Sequence, residues 1–180
     1  MKTMSLIAGA GILKSEPAFA LALRGDLPKK FLWEIGGLFP HPVSGYADQS
    51  VSGTNGSGPF SISSHVDAYG EMHMALLYPL YQQERLILDG GAGFSLGFIT
   101  NRADEQSTVF GTPSSSTAKG HEVSPSPYLS LGAAYRFTDR FAIRFDAGWV
   151  TYSNHNTFGA YDFDLGFKGI IMRPAIEVRL

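Results

Sequence analysis

The sequence predicts an all-β fold, an eight-stranded antiparallel up-and-down transmembrane β-barrel that occupies residues 1–180 as one domain. Three observations lead there. Apolar and polar residues alternate with period two over most of the chain, the signature of strands with one apolar face. The segments between alternating runs are long and short in strict succession, as in a barrel with every tight turn at one end. Composition then removes the competitors. Charged residues make up 17% of the chain, against about 25% in an ordinary soluble domain, while aromatics reach 13% and glycine supplies 21 residues. Mean hydropathy is −0.01, and no window approaches the roughly 18 apolar residues of a membrane-spanning helix. With no cysteine, disulfides, cysteine-ligated zinc and a thiol nucleophile are all excluded. A net charge of −2 offers no basic footprint for nucleic acid.

The first thirty residues allow two readings. Met1-Lys2, the apolar stretch Met4 to Leu13, and Ala18-Phe19-Ala20 mimic a secretory signal with a small-residue cleavage site. Lys14, Ser15 and Glu16 interrupt that pattern and suit a hairpin instead, with Met4 to Leu13 going up and Pro17 to Arg24 coming down. The hairpin brings the total to eight strands, the lower bound for membrane barrels, whereas the signal would leave an anomalous six. On the hairpin reading any export signal lies outside these 180 residues. Gly25 to Lys30 then forms a turn before the strand that begins at Phe31 and keeps Glu34 on its polar side.

His41 to Ser64 is rich in Ser, Gly and Pro and reads as a long mobile loop. After it, EMHMALLYPLY sets Met72, Met74, Leu76, Tyr78 and Leu80 against Glu71, His73 and Ala75. Gln82, Gln83 and Glu84 make a turn. The next run puts Leu86, Leu88, Ala92, Phe94, Leu96 and Phe98 against Asp89, Gly91, Gly93, Ser95 and Gly97. A second long loop is expected at 101–126. Leu129, Leu131, Ala133, Tyr135 and Phe137 follow on one face, Ser130, Gly132, Ala134 and Arg136 on the other. Thr138 and Asp139 turn the chain into Phe141, Ile143, Phe145, Ala147 and Trp149, which oppose Ala142, Arg144, Asp146 and Gly148. The last strand alternates Met172, Ile176, Val178 and Leu180 with Arg173, Ala175, Glu177 and Arg179.

Both signs of charge lie on one face of these strands, and alternation alone leaves two kinds of barrel open. A soluble lipocalin-like carrier turns its apolar face inward, while a small membrane barrel turns it to lipid and fills its lumen with ion pairs. The apolar chain end at Ile176, Val178 and Leu180 is similar to the terminal strand of outer-membrane proteins. The layout resembles small outer-membrane barrels of the OmpA/OmpX type, which implies a closed interior and an outer-membrane location. Glu34, Glu71, His73, Asp89, Arg136, Arg144 and Asp146 are the expected interior network. Outer-membrane lipid and lipopolysaccharide are the expected surroundings, the two long loops could carry an unidentified protein partner, and no cofactor is expected. Trp33, Tyr78, Tyr81, Tyr128, Tyr135 and Trp149 read as interfacial girdle residues.

One segment suggests chemistry. Arg144 to Asn154, with the hairpins from about Leu86 to Leu180, resembles the lipid A 3-O-deacylase family, which carries a His-x-Ser-Asn motif on its penultimate strand. Tyr152-Ser153-Asn154 match that motif, and Thr151 stands at the position of the family's histidine. The resemblance implies ester hydrolysis on lipopolysaccharide. Ser153 and His155 share a strand face, so Ser153 as nucleophile, His155 as base and Asp162 or Asp164 as orienter would make a hydrolytic triad. The competing reading is turn chemistry, since Ser, Asn and His at strand ends satisfy their own backbone. The five histidines, at 41, 65, 73, 121 and 155, have no compelling metal spacing. His65, Asp67, Glu71 and His73 could meet on one strand face, where a lumen network accounts for them more simply than a metal. Gly90-Gly91-Ala92-Gly93 lacks the Lys-Ser or Lys-Thr of a phosphate loop and suits a crowded barrel wall.

Overall fold

A computed structural model describes residues 3–13, 16–55, 57–153, 155–158, 160–164 and 167–180. The described residues form ten strands: β1 (Met4–Leu13), β2 (Glu16–Asp26), β3 (Leu32–Asn55), β4 (Gly58–Gln83), β5 (Leu86–Val109), β6 (Thr112–Arg136), β7 (Phe141–Tyr152), β8 (His155–Phe158), β9 (Tyr161–Asp164) and β10 (Phe167–Arg179). Eight of them close an antiparallel barrel in the order β1-β10-β7-β6-β5-β4-β3-β2, and β8 pairs with β9 as a separate hairpin.

Alternation sets the orientation of every wall strand. On β7 the even residues Ala142, Arg144, Asp146 and Val150 are buried, while Phe141, Ile143, Phe145 and Trp149 are exposed. On β4, Glu71, His73, Ala75 and Leu77 point in, and Met72, Met74 and Leu76 point out. The apolar face is therefore on the outside, the reverse of a soluble carrier, and the lipocalin-like alternative does not fit. The first hairpin belongs to the wall: β1 pairs with both β10 and β2. Its cleavage-site mimic has a packing origin. Ala18, Ala20 and Ala22 are small because they face the crowded lumen, and Phe19 is 55% exposed on the outer surface. The turn residues Lys14 and Ser15 lie outside the described residues.

Strand length divides the molecule. β1, β2, β7 and β10 have 10, 11, 12 and 13 residues, close to the 9–11 that cross a bilayer. β3 to β6 have 24, 26, 24 and 25, so roughly half of each projects beyond the membrane, about 40 Å at the usual rise per residue. The segments 41–64 and 101–126, expected as irregular loops, are paired strands. Their registers run to Asn55↔Gly58 and Val109↔Thr112. Backbone pairing is indifferent to the Ser- and Thr-rich side chains that suggested loops, and the β-branched Val51, Thr54, Ile62, Thr108, Val109 and Thr112 favour it near the tips. The segment after β7 likewise holds the β8–β9 hairpin rather than an irregular connection.

β6 leaves β7 at a defined point. The β6–β7 ladder ends at Leu129↔Trp149, next to Pro127 and Pro125, which have no N–H to give a neighbouring strand. Beyond it, β3, β4, β5 and β6 continue as a four-stranded sheet. The buried core of the barrel continues along the inner side of that sheet, where Ile62, Val66, Ile99 and Phe163 are buried with Phe60, Phe158 and Tyr161 packed against them. The β8–β9 hairpin thus lies against the inner side of the projecting sheet, with the Phe60 and Tyr161 rings 5.6 Å apart and Gln49 Nε2 donating to Asp164 O at 2.9 Å.

Candidate functional site

The polar residues that alternation sends inward meet at mid-barrel. Arg24 on β2 donates from Nε to Glu34 Oε2 on β3 at 3.0 Å and from Nη1 to Asp89 Oδ2 on β5 at 3.0 Å. Its Nη2 also contacts Glu34. Arg144 on β7 donates to Asp89 Oδ1 at 2.6 Å and to Asp146 Oδ2 at 3.0 Å. Arg173 on β10 lies 3.8 Å from Glu34 Oε1 and donates to the Tyr128 hydroxyl. His73 stands between two carboxylates, Nε2 at 3.1 Å from Glu34 Oε1 and Nδ1 at 3.2 Å from Glu71 Oε1. Arg173 Nη1, which can only donate, also lies 3.0 Å from His73 Nε2, so the ring is held between two carboxylates and a guanidinium. Glu34, Glu71, Asp89 and Arg144 are each 1% exposed or less. Strands from all round the wall are therefore cross-tied through the lumen.

Above this layer, tyrosines take over. Tyr69 donates to Glu71 Oε2 at 2.9 Å, Tyr152 donates to the same oxygen at 3.3 Å, and Ser95 lies 2.5 Å from the Tyr152 hydroxyl. The Tyr128 ring stacks on His73 at 4.5 Å between centroids. Tyr128 is 1% exposed, so its assignment to the lipid girdle is corrected. It has the parity of Ser130 and Gly132, the inward row. Tyr78, Tyr81, Tyr135 and Trp149 are exposed on the outside, and Trp33 is half-buried against Gly25.

Of the residues expected in the network, Glu34, Glu71, His73, Asp89, Arg144 and Asp146 come together. Among the described residues Arg136 is not bonded to them: it is half-buried toward the short-turn end beside Glu177 and Arg179, and shares with Arg24, Asp89 and Arg144 the lining of a cavity of about 50 Å³. Arg24 and the three tyrosines were not anticipated, although Arg24 shares parity with Ala18, Ala20 and Ala22. His65 and Asp67 do not join Glu71 and His73. The β4–β5 register shifts between Val66 and Ala68, and this bulge moves the inward row from even to odd positions. Asp67 instead pairs with Lys119 at 3.1 Å. The side chain of His41 lies outside the described residues. Among the described residues there is no group of three or more side chains placed to hold a metal.

The suggested triad is only partly assembled. His155 Nδ1 is 2.8 Å from Asp164 Oδ1, its Nε2 is 3.6 Å from Asp162 Oδ1, and its backbone N–H donates to Glu122 at 3.0 Å. The hydrogen bond to Asp164 is the main reason the imidazole is held protonated above its ordinary value, with the nearby Asp162 and Glu122 charges adding to it. Ser153 is exposed, and its carbonyl accepts a bond from Ser124 Oγ at 2.6 Å. Among the described residues no hydrogen bond joins its hydroxyl to His155. Both nitrogens of that ring face carboxylates, so the arrangement is an acid-histidine clasp across a hairpin, not a base aimed at a nucleophile. Asn154 of the motif lies outside the described residues.

No protein-family model matches the chain, and no curated protein matches it in sequence. Solved structures do. A major outer membrane protein of Thermus thermophilus superposes with a TM-score of 0.61 at 12% identity, over 100% of both chains. The N-terminal β-barrel domain of Pseudomonas aeruginosa OprF gives 0.58 at 10% identity, over 99% of this chain and 97% of that one. What is shared at such identities is the fold, an antiparallel eight-stranded barrel.

Proposed function

We propose that the chain is an integral outer-membrane protein whose barrel is a closed, ion-paired anchor and whose role is to present the external sheet. The observation that carries this reading is the inversion of the wall. Leu131, Ile143, Phe145, Met172 and Ile176 are all about half exposed or more, and an apolar band of this kind is stable only against lipid. The lumen supports the closed state. Eight strands leave room for side chains alone, and here arginines, carboxylates and tyrosines fill it. The external part suits presentation, because β3 to β6 stay paired past the apolar band and hold side chains at fixed spacing outside the bilayer. Outer-membrane lipid, including lipopolysaccharide, is the surrounding partner, and the sheet is where a protein partner would bind.

Two measurements test this. In the folded form the chain should resist urea extraction from vesicles and migrate differently on a gel before and after heating. In planar bilayers it should show only rare, small openings, and Arg144→Ala should raise their frequency by removing the ties to Asp89 and Asp146. Frequent, large conductance in the wild type would contradict the closed anchor.

A further inference from the structure

The outer wall carries a cleft of about 480 Å³. The outward row of β3 reads Ile35, Gly37, Phe39, so the wall lacks a side chain in the middle of that row. A Cβ at Gly37 would run into the Glu71 carbonyl of the neighbouring strand, so the gap is a consequence of how closely β3 and β4 approach. Leu21 bounds the cleft on one side, Met72 and Phe98 on the other, and Phe39 stands at its outer end. Its lining is almost wholly carbon.

A second feature lies on the same face of the same strands. Phe98 pairs with Val123, and outward of it on β5 come Thr100 and Arg102. Thr100 lies opposite His121, whose Nδ1 is 3.1 Å from its hydroxyl. Arg102 lies opposite His65 on β4 and Lys119 on β6. Four residues of strand, about 13 Å, separate Phe98 from Arg102. Both cations carry a carboxylate partner: Arg102 Nε meets Asp104 Oδ2 at 2.9 Å, and Lys119 meets Asp67. Their side chains are 40% and 55% exposed, so these pairs are weak and solvent-screened, and Asp104 engages the guanidinium through Nε. A phosphate oxygen would take its two terminal nitrogens, the fork that recognises phosphate bidentately.

We propose that this face is a seat for a phosphorylated, multiply acylated lipid of the outer leaflet, with one acyl chain in the Gly37 cleft and a phosphate on the Arg102–Lys119 row. The proposal rests on the outer-membrane reading. Neither half would be selective alone. A carbon-lined cleft accepts any chain, and an exposed arginine and lysine accept any anion. Their spacing along one strand face, at the edge of the apolar band, selects an amphiphile that carries both.

The full chain folded in detergent is the test sample, with bound lipid read by native mass spectrometry. The probes are bisphosphorylated lipid A, the same lipid after dephosphorylation, and inorganic phosphate. The wild type should retain the phosphorylated lipid about tenfold better than the dephosphorylated one, as one good charge-assisted contact allows, and should not retain inorganic phosphate. Arg102→Gln with Lys119→Gln should erase that preference, and Met72→Trp, which fills the cleft, should lower retention of both lipids. Equal retention of the two lipids, an unchanged preference in the double variant, unchanged retention in Met72→Trp, or retention of inorganic phosphate alone would each overturn the seat. A chain that never yields the heat-modifiable folded form would instead refute the outer-membrane reading, which separates the two failures.

Discussion

Gly132 shows how tightly the lumen is drawn. A Cβ there would land on Arg144 Nη2 and Asp146 Oδ1, with Asp89 Oδ1 at 2.8 Å, so the ion network needs the missing side chain. Gly148 does the same for Tyr128, whose ring would be 2.7 Å from a Cβ. Gly132→Ala should therefore cost about 1–3 kcal/mol, the usual penalty of overpacking, as a lowered urea midpoint in vesicles. Asp89→Asn should also lower that midpoint, because Arg24 is then left with its bond to Glu34 and Arg144 loses its shortest carboxylate contact, both while buried. At the outer mouth, His155 is exposed, and its contact with Asp164 acts locally. Its raised protonation range means that the clasp is complete below the ordinary imidazole value of about 6.5 and is lost as pH rises through the raised one. An NMR titration of His155 should show a midpoint that falls when Asp164 is changed to Asn. Ser153→Ala should leave any 3-O-deacylation of lipid A unchanged, measured by mass spectrometry of the lipid. Loss of such activity would restore Ser153 as a nucleophile.

At the level of elements, one projecting hairpin carries backbone strain at its tip. The β5–β6 turn places Phe110 at φ 49° and Gly111 at φ 82°, the pattern of a tight hairpin turn that favours Asn or Gly in both places. Phe110 is 86% exposed, so it recovers nothing by burial, although its N–H donates to Ser57 O in the neighbouring tip at 3.0 Å. Phe110→Asn should stabilise the ribbon by about 1 kcal/mol, read as slower amide exchange at Thr108, Val109 and Thr112. These ribbons were also the least legible part of the sequence. Ser-, Thr- and Gly-rich stretches carry no apolar alternation because neither bilayer nor lumen sorts their side chains, so they read as loops. The bulge at 66–68 was invisible for a related reason: one extra residue flips parity without leaving a compositional mark. Where lipid and lumen both act, as on β7, alternation alone placed Arg144 and Asp146 correctly. Tyr128 was misplaced by its aromatic character, although its parity with Ser130 pointed inward.

For the whole molecule, the decisive property is which side of the wall is apolar. Hydrophobic burial drives a soluble barrel to turn its apolar row inward. Here that row faces outward, and the inward row must be satisfied by ion pairs, which are favourable only when nearly every member is partnered. The same alternating pattern serves both architectures, so periodicity could not separate them; the apolar chain end at Ile176, Val178 and Leu180 favoured the membrane barrel, and the exposure of Phe141, Ile143 and Phe145 decides it. Trp149, 37% exposed on the outer face of β7, reports this orientation directly. The measurement is fluorescence quenching of Trp149 in a Trp33→Phe background, with the protein folded into vesicles of lipids brominated along the acyl chain. The account predicts strong quenching by bromine and little by aqueous iodide. Emission that ignores brominated lipid and responds to iodide would contradict it.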